Sequence, residues 1–262
     1  MNFAVFDLET NGMKGSSVVS TSSIIFDDRG QILDFFNRFY YPTEKPDPAT
    51  ERIHGLTIDR IYWFRQTGSY PPYFLDDLLS LYSFWERWHI TGVVVHNLAF
   101  DTSFLPPETV RKWKWWCSML GLTNWCAIPN PKNSSLFKWP RLNEAKIKAV
   151  AHLKTPALLK EMEEKLPKEM GHYSLSDCFE LYGIFTRVWA SCPELVSFRH
   201  YRNRYYAPKK EDYVTPSPLT PDPFVIKGLL FAQALAHVCH QAEYGTELKK
   251  IIEHYEGLNM PL

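Results

Sequence analysis

Apolar runs separated by polar turn residues predict a β-meander at the start of the chain. Runs rich in branched and aromatic residues cover residues 3–9, 18–26 and 32–41, which is typical of strands. The turn-forming residues 27–30 (DDRG) lie between the second and third runs and predict a hairpin. We therefore expect three antiparallel strands.

The spacing then changes to a helical period. Apolar residues at helical intervals predict a helix within residues 72–88, and the continuous apolar run at residues 92–96 (GVVVH) predicts a strand buried on both faces. A strand that follows a helix indicates a parallel addition to the meander. The Trp- and Pro-rich stretch at residues 113–140 predicts loops and short helices laid over the sheet.

The second half of the chain is predicted to be mainly helical. A helix is expected at residues 174–190, followed by a basic, aromatic and Pro-rich linker at 191–223 and a helical C-terminal extension at 224–262. The predicted fold class is α/β, with a mixed five-stranded sheet flanked by helices and a helical appendage. Residues 1–190 would form the main domain.

Composition narrows the class of protein. The 262 residues carry 29 Lys+Arg and 29 Asp+Glu, so the net charge is zero, which excludes a uniformly basic nucleic-acid coat. The five cysteines are scattered and include no Cys-x-x-Cys pair, which favours free thiols of a reducing compartment. With no signal peptide and no apolar run long enough to span a bilayer, we expect a cytoplasmic protein without a membrane partner.

Three acidic segments stand out as candidate chemistry. Asp7 and Glu9 lie two apart on a predicted strand, so both carboxylates project from one face and need a shared proton, a basic partner or a divalent cation. Asp101 follows the buried strand, where ligands gather in α/β sheets. Asp177 opens the late helix five residues after His172. Each segment also has an ordinary structural interpretation: a solvated strand end, a helix-dipole acid, and a capping box with Ser174 as the N-cap.

Taken together, these segments resemble a known family. FDLETNG, HNLAFDTSFL and HYSLSD occur in the order of the three exonuclease motifs of the DEDDh (DnaQ-like) 3′–5′ exonucleases, relatives of the proofreading subunit of bacterial DNA polymerase III. IHGLT at residues 53–57 and KWPRL at 138–142 resemble two further segments of that family. The resemblance runs from about Phe3 to Trp189, and Ser174 stands where the family often has Ala.

The resemblance implies an RNase H-like core and hydrolysis of phosphodiester bonds from the 3′ end by two divalent cations, with Mg²⁺ as the default and Mn²⁺ as an alternative. Metal ligands would be Asp7, Glu9, Asp101 and Asp177. Asp7 would bridge both cations, Glu9 and Asp177 would hold the one on the water side, and Asp101 would act through a water. His172 would be the general base, since imidazole titrates near neutral pH. Substrate contacts are predicted for Leu8, Thr10, Asn11, Gly12, His54, Asn97 and Phe100.

Residues 199–210 combine basic side chains with tyrosines and contain no acid. Such a run suits single-stranded nucleic acid, whose phosphates meet cations and whose bases stack on aromatic rings. We therefore predict a substrate track at Arg199, Arg202, Arg204, Tyr205 and Lys209. A solvated linker whose tyrosines pack on the core is an equally good interpretation.

The expected partners are 3′ ends of single-stranded DNA or RNA, with DNA favoured, and a protein partner or a second copy could bind the C-terminal extension. An inactive exonuclease fold that only binds nucleic acid would usually have lost a metal carboxylate, and none is missing. An RNase H-like endonuclease is the other alternative, and the spacing of His172 and Asp177 favours the exonuclease.

Overall fold

The computed structural model describes residues 1–167, 170–208 and 220–259. Within these residues the strands form one six-stranded mixed sheet in the order β3-β2-β1-β4-β5-β6. The strands are β1 (Asn2–Thr10), β2 (Val18–Asp27), β3 (Ile32–Phe39), β4 (Ile90–Val95), β5 (Lys114–Cys117) and β6 (Arg199–His200). β1 to β3 are antiparallel, β4 and β5 run parallel to β1, and β6 is antiparallel to β5.

The predicted fold class is confirmed: a meander extended by parallel strands is the sheet expected of an RNase H-like core. The predicted number of five strands was wrong, because β6 comes from the stretch predicted to be a linker. The Trp-rich stretch also supplies β5, where only loops and short helices were predicted. Trp115 and Trp116 are both buried and point into opposite faces of the sheet, so this strand lacks the polar alternation that would have marked it.

Helices cover both faces of the sheet. They are α1 (Pro48–His54), α2 (Ile58–Arg65), α3 (Phe74–Arg87), α4 (Leu98–Asp101), α5 (Pro107–Lys112), α6 (Ser118–Gly121), α7 (Thr123–Cys126), α8 (Leu142–His152), α9 (Ala157–Lys165), α10 (Ser174–Ser191), α11 (Pro223–Val238) and α12 (Ala242–Leu258). Short 3-10 turns occur at Thr102–Phe104 and Pro193–Leu195. No helix in the described part of the chain has the length and apolar character needed to cross a membrane.

The two faces of β1 bury different clusters. Phe3 and Val5 pack in the cluster beneath α10 and α11, whereas Ala4, Phe6 and Leu8 pack in the cluster beneath α3. This alternation follows from the two-residue period of a strand. It places the odd-numbered side chains of β1, including Asp7 and Glu9, on the side of the sheet that α10 covers.

The predicted C-terminal helical segment forms two helices rather than one. Val225 and Leu229 of α11 and Leu248 of α12 belong to the same buried cluster as Phe179 of α10. The turn between the two helices is tied to the sheet edge, where the Gln241 side-chain amide hydrogen-bonds the Asp34 carboxylate. These helices therefore pack directly on the sheet and α10. The division of the chain at residues 190 and 223 stays a prediction.

Candidate metal centre

The carboxylates of β1 lie at the edge of the sheet where the parallel strands end. β1 and β4 pair in parallel, with Val5 opposite Val94, so β4 ends beside the position of Asp7. The chain then turns through Asn97 into α4, whose last residue is Asp101. Asp101 is 4% exposed, and its backbone N–H donates to the Asn97 carbonyl at 3.0 Å. Parallel pairing thus brings Asp101 to the end of β1.

The third segment reaches the same place through the start of α10. Glu9, His172 and Asp177 each offer a ligand atom, and these atoms all lie within 4.8 Å of one another. His172 is exposed and has a φ of +58°, in the left-handed region that costs energy for residues other than glycine. Strained backbone of this kind clusters at functional sites, where the surrounding structure holds it. The conformation places the imidazole beside Glu9 and Asp177.

The shifted pKa values show that the four acids interact with one another. Burial raises the pKa of Asp7 well above its usual range, and repulsion from Asp177, Glu9 and Asp101 adds to the rise. Burial, followed by the charges of Asp177 and Asp101, likewise raises the pKa of Glu9. Burial raises the pKa of Asp101 to about 7. The four acids therefore form one electrostatic cluster in which additional negative charge is unfavourable.

This cluster fits divalent cations. Among the described residues, no lysine or arginine forms a salt bridge with Asp7, Glu9 or Asp101. Asp101 is buried, and Asp7 and Glu9 are half-buried. Carboxylates gathered in this way without a basic partner must share protons or bind metal, and carboxylate oxygens are the ligands that Mg²⁺ and Mn²⁺ prefer. The arrangement of residues thus suits the cations that the sequence predicted.

A serine bridge supports the centre, and the sequence analysis did not identify its role. Ser20 and Ser22 of β2 pair with Glu9 and Asp7, respectively. The Ser174 hydroxyl forms hydrogen bonds with both of them, at 2.6 Å and 2.7 Å. The interpretation of Ser174 as the N-cap of α10 was wrong, since Tyr173 is the cap residue. In the sequence, the only sign of this bridge was that Ser20 and Ser22 lie two residues apart on a predicted strand and therefore share a face.

The loop after Glu9 is held by its own polar groups. Thr10 donates its hydroxyl to the Gly12 carbonyl at 2.6 Å. The Asn11 side chain is buried, donates to Glu44 and the Lys45 carbonyl, and accepts from the Asp47 N–H. Leu8 is buried on the opposite face of the sheet. The backbone of this loop, rather than the side chains of Leu8 and Asn11, is therefore what a substrate can approach.

His54 lies beneath the site as a neutral ring. It is 3% exposed, and its Nδ1 accepts a hydrogen bond from the Leu56 N–H at 2.9 Å. Burial lowers its pKa to about 4, with the nearby Thr10 backbone opposing the shift and His172 adding to it. Among the described residues its buried Nε2 has no hydrogen-bond partner. His54 is thus close to both the site loop and His172.

The remaining predicted contacts flank Asp101. Asn97 is exposed at the end of β4, and Phe100 is half-buried, with its ring edge-on to Phe104 at 5.1 Å between centroids. His96, next to Asn97, ties this corner to the KWPRL segment through a 3.0 Å hydrogen bond from Nε2 to the Pro140 carbonyl. The HNLAFDTSFL segment is therefore held both by packing within itself and by a hydrogen bond to the KWPRL segment.

The predicted track runs past the same corner. After β6, the Asn203 side chain donates to the carbonyls of Thr102 and Leu105, and the Tyr206 N–H donates to the Ser103 carbonyl at 3.1 Å. Arg199, Arg202 and Arg204 are exposed, and none of the described acids forms a salt bridge with them. Tyr205 is half-buried near Glu108. Lys209 lies outside the described residues.

Comparisons with known proteins give weak similarities. No family model matches the chain, and no curated protein matches it. The chain is similar to exonuclease X in complex with 5′ overhanging duplex DNA, with 19% identity and a TM-score of 0.47 over 72% of this chain and 91% of that chain. It is also similar to exonuclease I from Methylocaldum szegediense, with 17% identity and a TM-score of 0.47 over 74% of this chain and 41% of that one.

A third similar structure is E. coli exonuclease I in complex with a dA16 oligonucleotide, with 15% identity and a TM-score of 0.47 over 74% of this chain and 42% of that chain. The chain thus spans less than half the length of the two exonuclease I proteins. With similarities this weak, the activity of the chain has to be inferred from its own residues.

Proposed function

We propose that the protein is a metal-dependent 3′–5′ exonuclease that removes nucleoside 5′-monophosphates from single-stranded nucleic acid, with DNA favoured over RNA. The observation that carries the proposal is the convergence of acids from three distant segments: Glu9 and Asp177 lie beside His172, and Asp7 and Asp101 interact electrostatically with them. The polarity rests on the resemblance of these segments to the exonuclease motifs.

The roles of the residues follow from their placement. Asp7, Glu9, Asp101 and Asp177 would hold two divalent cations, which when bound stabilise negative charge on the attacking and leaving oxygens of an in-line displacement. His172 projects from the loop before α10 and is exposed, so it can accept the proton of the attacking water at a ring nitrogen. A ring nitrogen of His172 lies within 4.8 Å of a carboxylate oxygen of Glu9 and of Asp177, which supports this role.

Substrate would be held by the chain around this recess. The backbone of Thr10, Asn11 and Gly12 follows Glu9 directly along the chain, and Asn97 and Phe100 precede Asp101. The exposed arginines at 199, 202 and 204 would contact phosphates further along the strand. A protein partner or a second copy on the C-terminal extension, and a cytoplasmic location, complete the proposal.

One assay tests the function and its polarity. Linear single-stranded DNA labelled at the 5′ end should shorten from its 3′ end with Mg²⁺ or Mn²⁺, and EDTA should stop the reaction. A circular strand of the same sequence should resist, because an exonuclease needs an end. Matched RNA and duplex substrates rank the preferences, and Asp7→Asn is the inactive control. Cleavage of the circle would point to an endonuclease, and binding without cleavage would point to an inactive docking module.

A further inference from the structure

A cavity adjoins the site on the other side of the sheet from the carboxylates. It has a volume of about 310 Å³ and lies between the loop before β2, the start of α3 and the end of the 199–208 segment. Its walls include Ser16, Val18, Tyr41, Tyr73, Phe104 and Tyr206. None of these residues belongs to the predicted metal site.

Two walls of this cavity continue directly from the elements that carry the catalytic acids. Val18 pairs with Thr10 across β1 and β2, one residue beyond Glu9. Phe104 follows Asp101 by three residues, in the turn that α4 leads into. Both side chains pack in the cluster beneath α3, opposite the face that carries Glu9. A nucleic-acid strand that crosses the end of β1 would therefore lead from the acids to the cavity.

The third wall continues the predicted track. Tyr206 is fixed by its N–H, which donates to the Ser103 carbonyl at 3.1 Å, and the Lys14 ammonium lies 5.4 Å from its ring centroid. Arg204, two residues earlier, is exposed. The same segment thus presents the Arg204 cation to solvent and the Tyr206 ring to the cavity. A nucleic-acid strand needs both, since its phosphates bind cations and its bases stack on aromatic rings.

The lining suits a flat ring that carries hydrogen-bonding groups. Aromatic side chains form much of the wall, and pockets of about 300 Å³ or more accommodate small aromatic ligands. The Ser16 hydroxyl is buried and has no partner among the described residues, and the exposed residue Asp76 also lines the cavity. An unpaired hydroxyl and an acid in the same lining suit the amino and imino groups of a nucleobase.

We propose that this cavity takes one unpaired base of the substrate strand, upstream of the nucleotide being removed. The inference rests on the proposed function, since it assigns a subsite of the same substrate. A base in a duplex is stacked and paired and has to leave the helix before it can enter such a cavity. The cavity would thus select single strands, while the acids carry out hydrolysis.

An abasic scan tests the subsite by binding alone. Single-stranded oligonucleotides labelled at the 5′ end, each with one abasic residue at positions two to six from the 3′ end, are titrated in EDTA so that no digestion occurs. An abasic residue at one of these positions should lower the affinity of the oligonucleotide for the protein by about 5- to 100-fold, as expected for the loss of one base stacked on aromatic side chains. The other positions should change little.

Two variants connect that position to the cavity. Tyr206→Ala removes a wall and Ser16→Tyr fills the space, and both should weaken binding of the intact strand while abolishing the abasic effect. Tyr62→Ala on α2 is the matched control, because Tyr62 is half-buried like Tyr206 but lies away from the cavity. Melting curves verify that each variant folds. If one variant does not fold, the other still tests the cavity.

The outcomes separate the subsite from the enzyme. An abasic profile with no special position, or the same profile in wild type and in both folded variants, overturns the cavity as a base site even if the protein digests DNA. A special position that Tyr206→Ala removes supports the subsite even if no digestion occurs. In the active wild type, single strands should be preferred over duplexes, and Tyr206→Ala should reduce that preference.

Discussion

The Ser174 hydroxyl, at the first residue of α10, lies 2.7 Å from the hydroxyl of Ser22, the strand residue that pairs with Asp7. A second bond of 2.6 Å joins Ser174 to Ser20, which pairs with Glu9. The helix that carries Asp177 is thus joined to the strand beside both acids of β1.

Removing the bridge should loosen the site. Ser174→Ala leaves the buried Ser20 hydroxyl without its partner, at a cost of about 1–3 kcal/mol. We expect a lower melting temperature and a weaker affinity for Mn²⁺. Ser191→Ala, at the exposed far end of α10, is the control. Adding Ser20→Ala to Ser174→Ala should cost less than the sum of the two, and full additivity would count against the bridge.

The proposed base can be removed without disturbing the backbone. His172→Asn keeps a residue that tolerates the left-handed conformation but removes the imidazole, and general-base catalysis contributes about 10²- to 10⁴-fold. The turnover number should fall by that factor while binding in EDTA is retained. His240 is also exposed, with a φ of 56°, so His240→Asn is a matched control that should keep full activity. Equal activity of the two variants would refute the role of His172.

Two sets of groups should change the stability with pH in opposite directions. The raised pKa of Asp101, about 7, means that the folded protein keeps a proton that the unfolded carboxyl releases above about pH 4. The metal-free protein therefore loses stability as pH rises through this window. His54 and His96, with pKa values lowered to about 4, act in the opposite direction, and their contribution is lost as pH falls below about 6.5.

Between about pH 6.5 and 8 the acid cluster should therefore set the trend. In EDTA, the melting temperature is expected to fall by about 2–5 °C over this range, and saturating Mg²⁺ should raise it more at pH 8 than at pH 6.5. Asp101→Asn should flatten the metal-free profile. Differential scanning fluorimetry measures both, and a Mg²⁺ shift that is the same at each pH would contradict the cluster.

The predicted substrate track should make the affinity for single strands depend on salt concentration. Neutralising Arg202 and Arg204 to Gln should weaken single-strand binding, and should reduce the slope of log affinity against log salt by about 0.7 for each phosphate that is no longer neutralised. The paired change of Lys249 and Lys250 to Gln, on the exposed face of α12, removes the same charge elsewhere. An equal effect of both pairs would indicate general attraction rather than a track.

Local patterns in the sequence predicted the meander, the helix before β4 and the start of α10, because apolar runs, turn residues and helical spacing depend on neighbours along the chain. The candidate ligands and base came from the resemblance of their segments to the exonuclease motifs, and these are Asp7, Glu9, Asp101, Asp177 and His172. Local sequence could not predict β5, because Trp115 and Trp116 are buried on opposite faces of the sheet and the strand shows no polar alternation. It could not predict β6 because that strand is only two residues long.

How those residues meet depends on the tertiary structure. Parallel pairing of β1 with β4 and the packing of α10 on β2 bring together acids from three distant segments of the chain. The same packing creates the Ser174 bridge and the cavity beside Tyr206, because contacts and enclosed space depend on long-range neighbours that no local pattern encodes. The raised pKa of Asp101 is likewise a property of its buried surroundings, since an isolated aspartate has none of them.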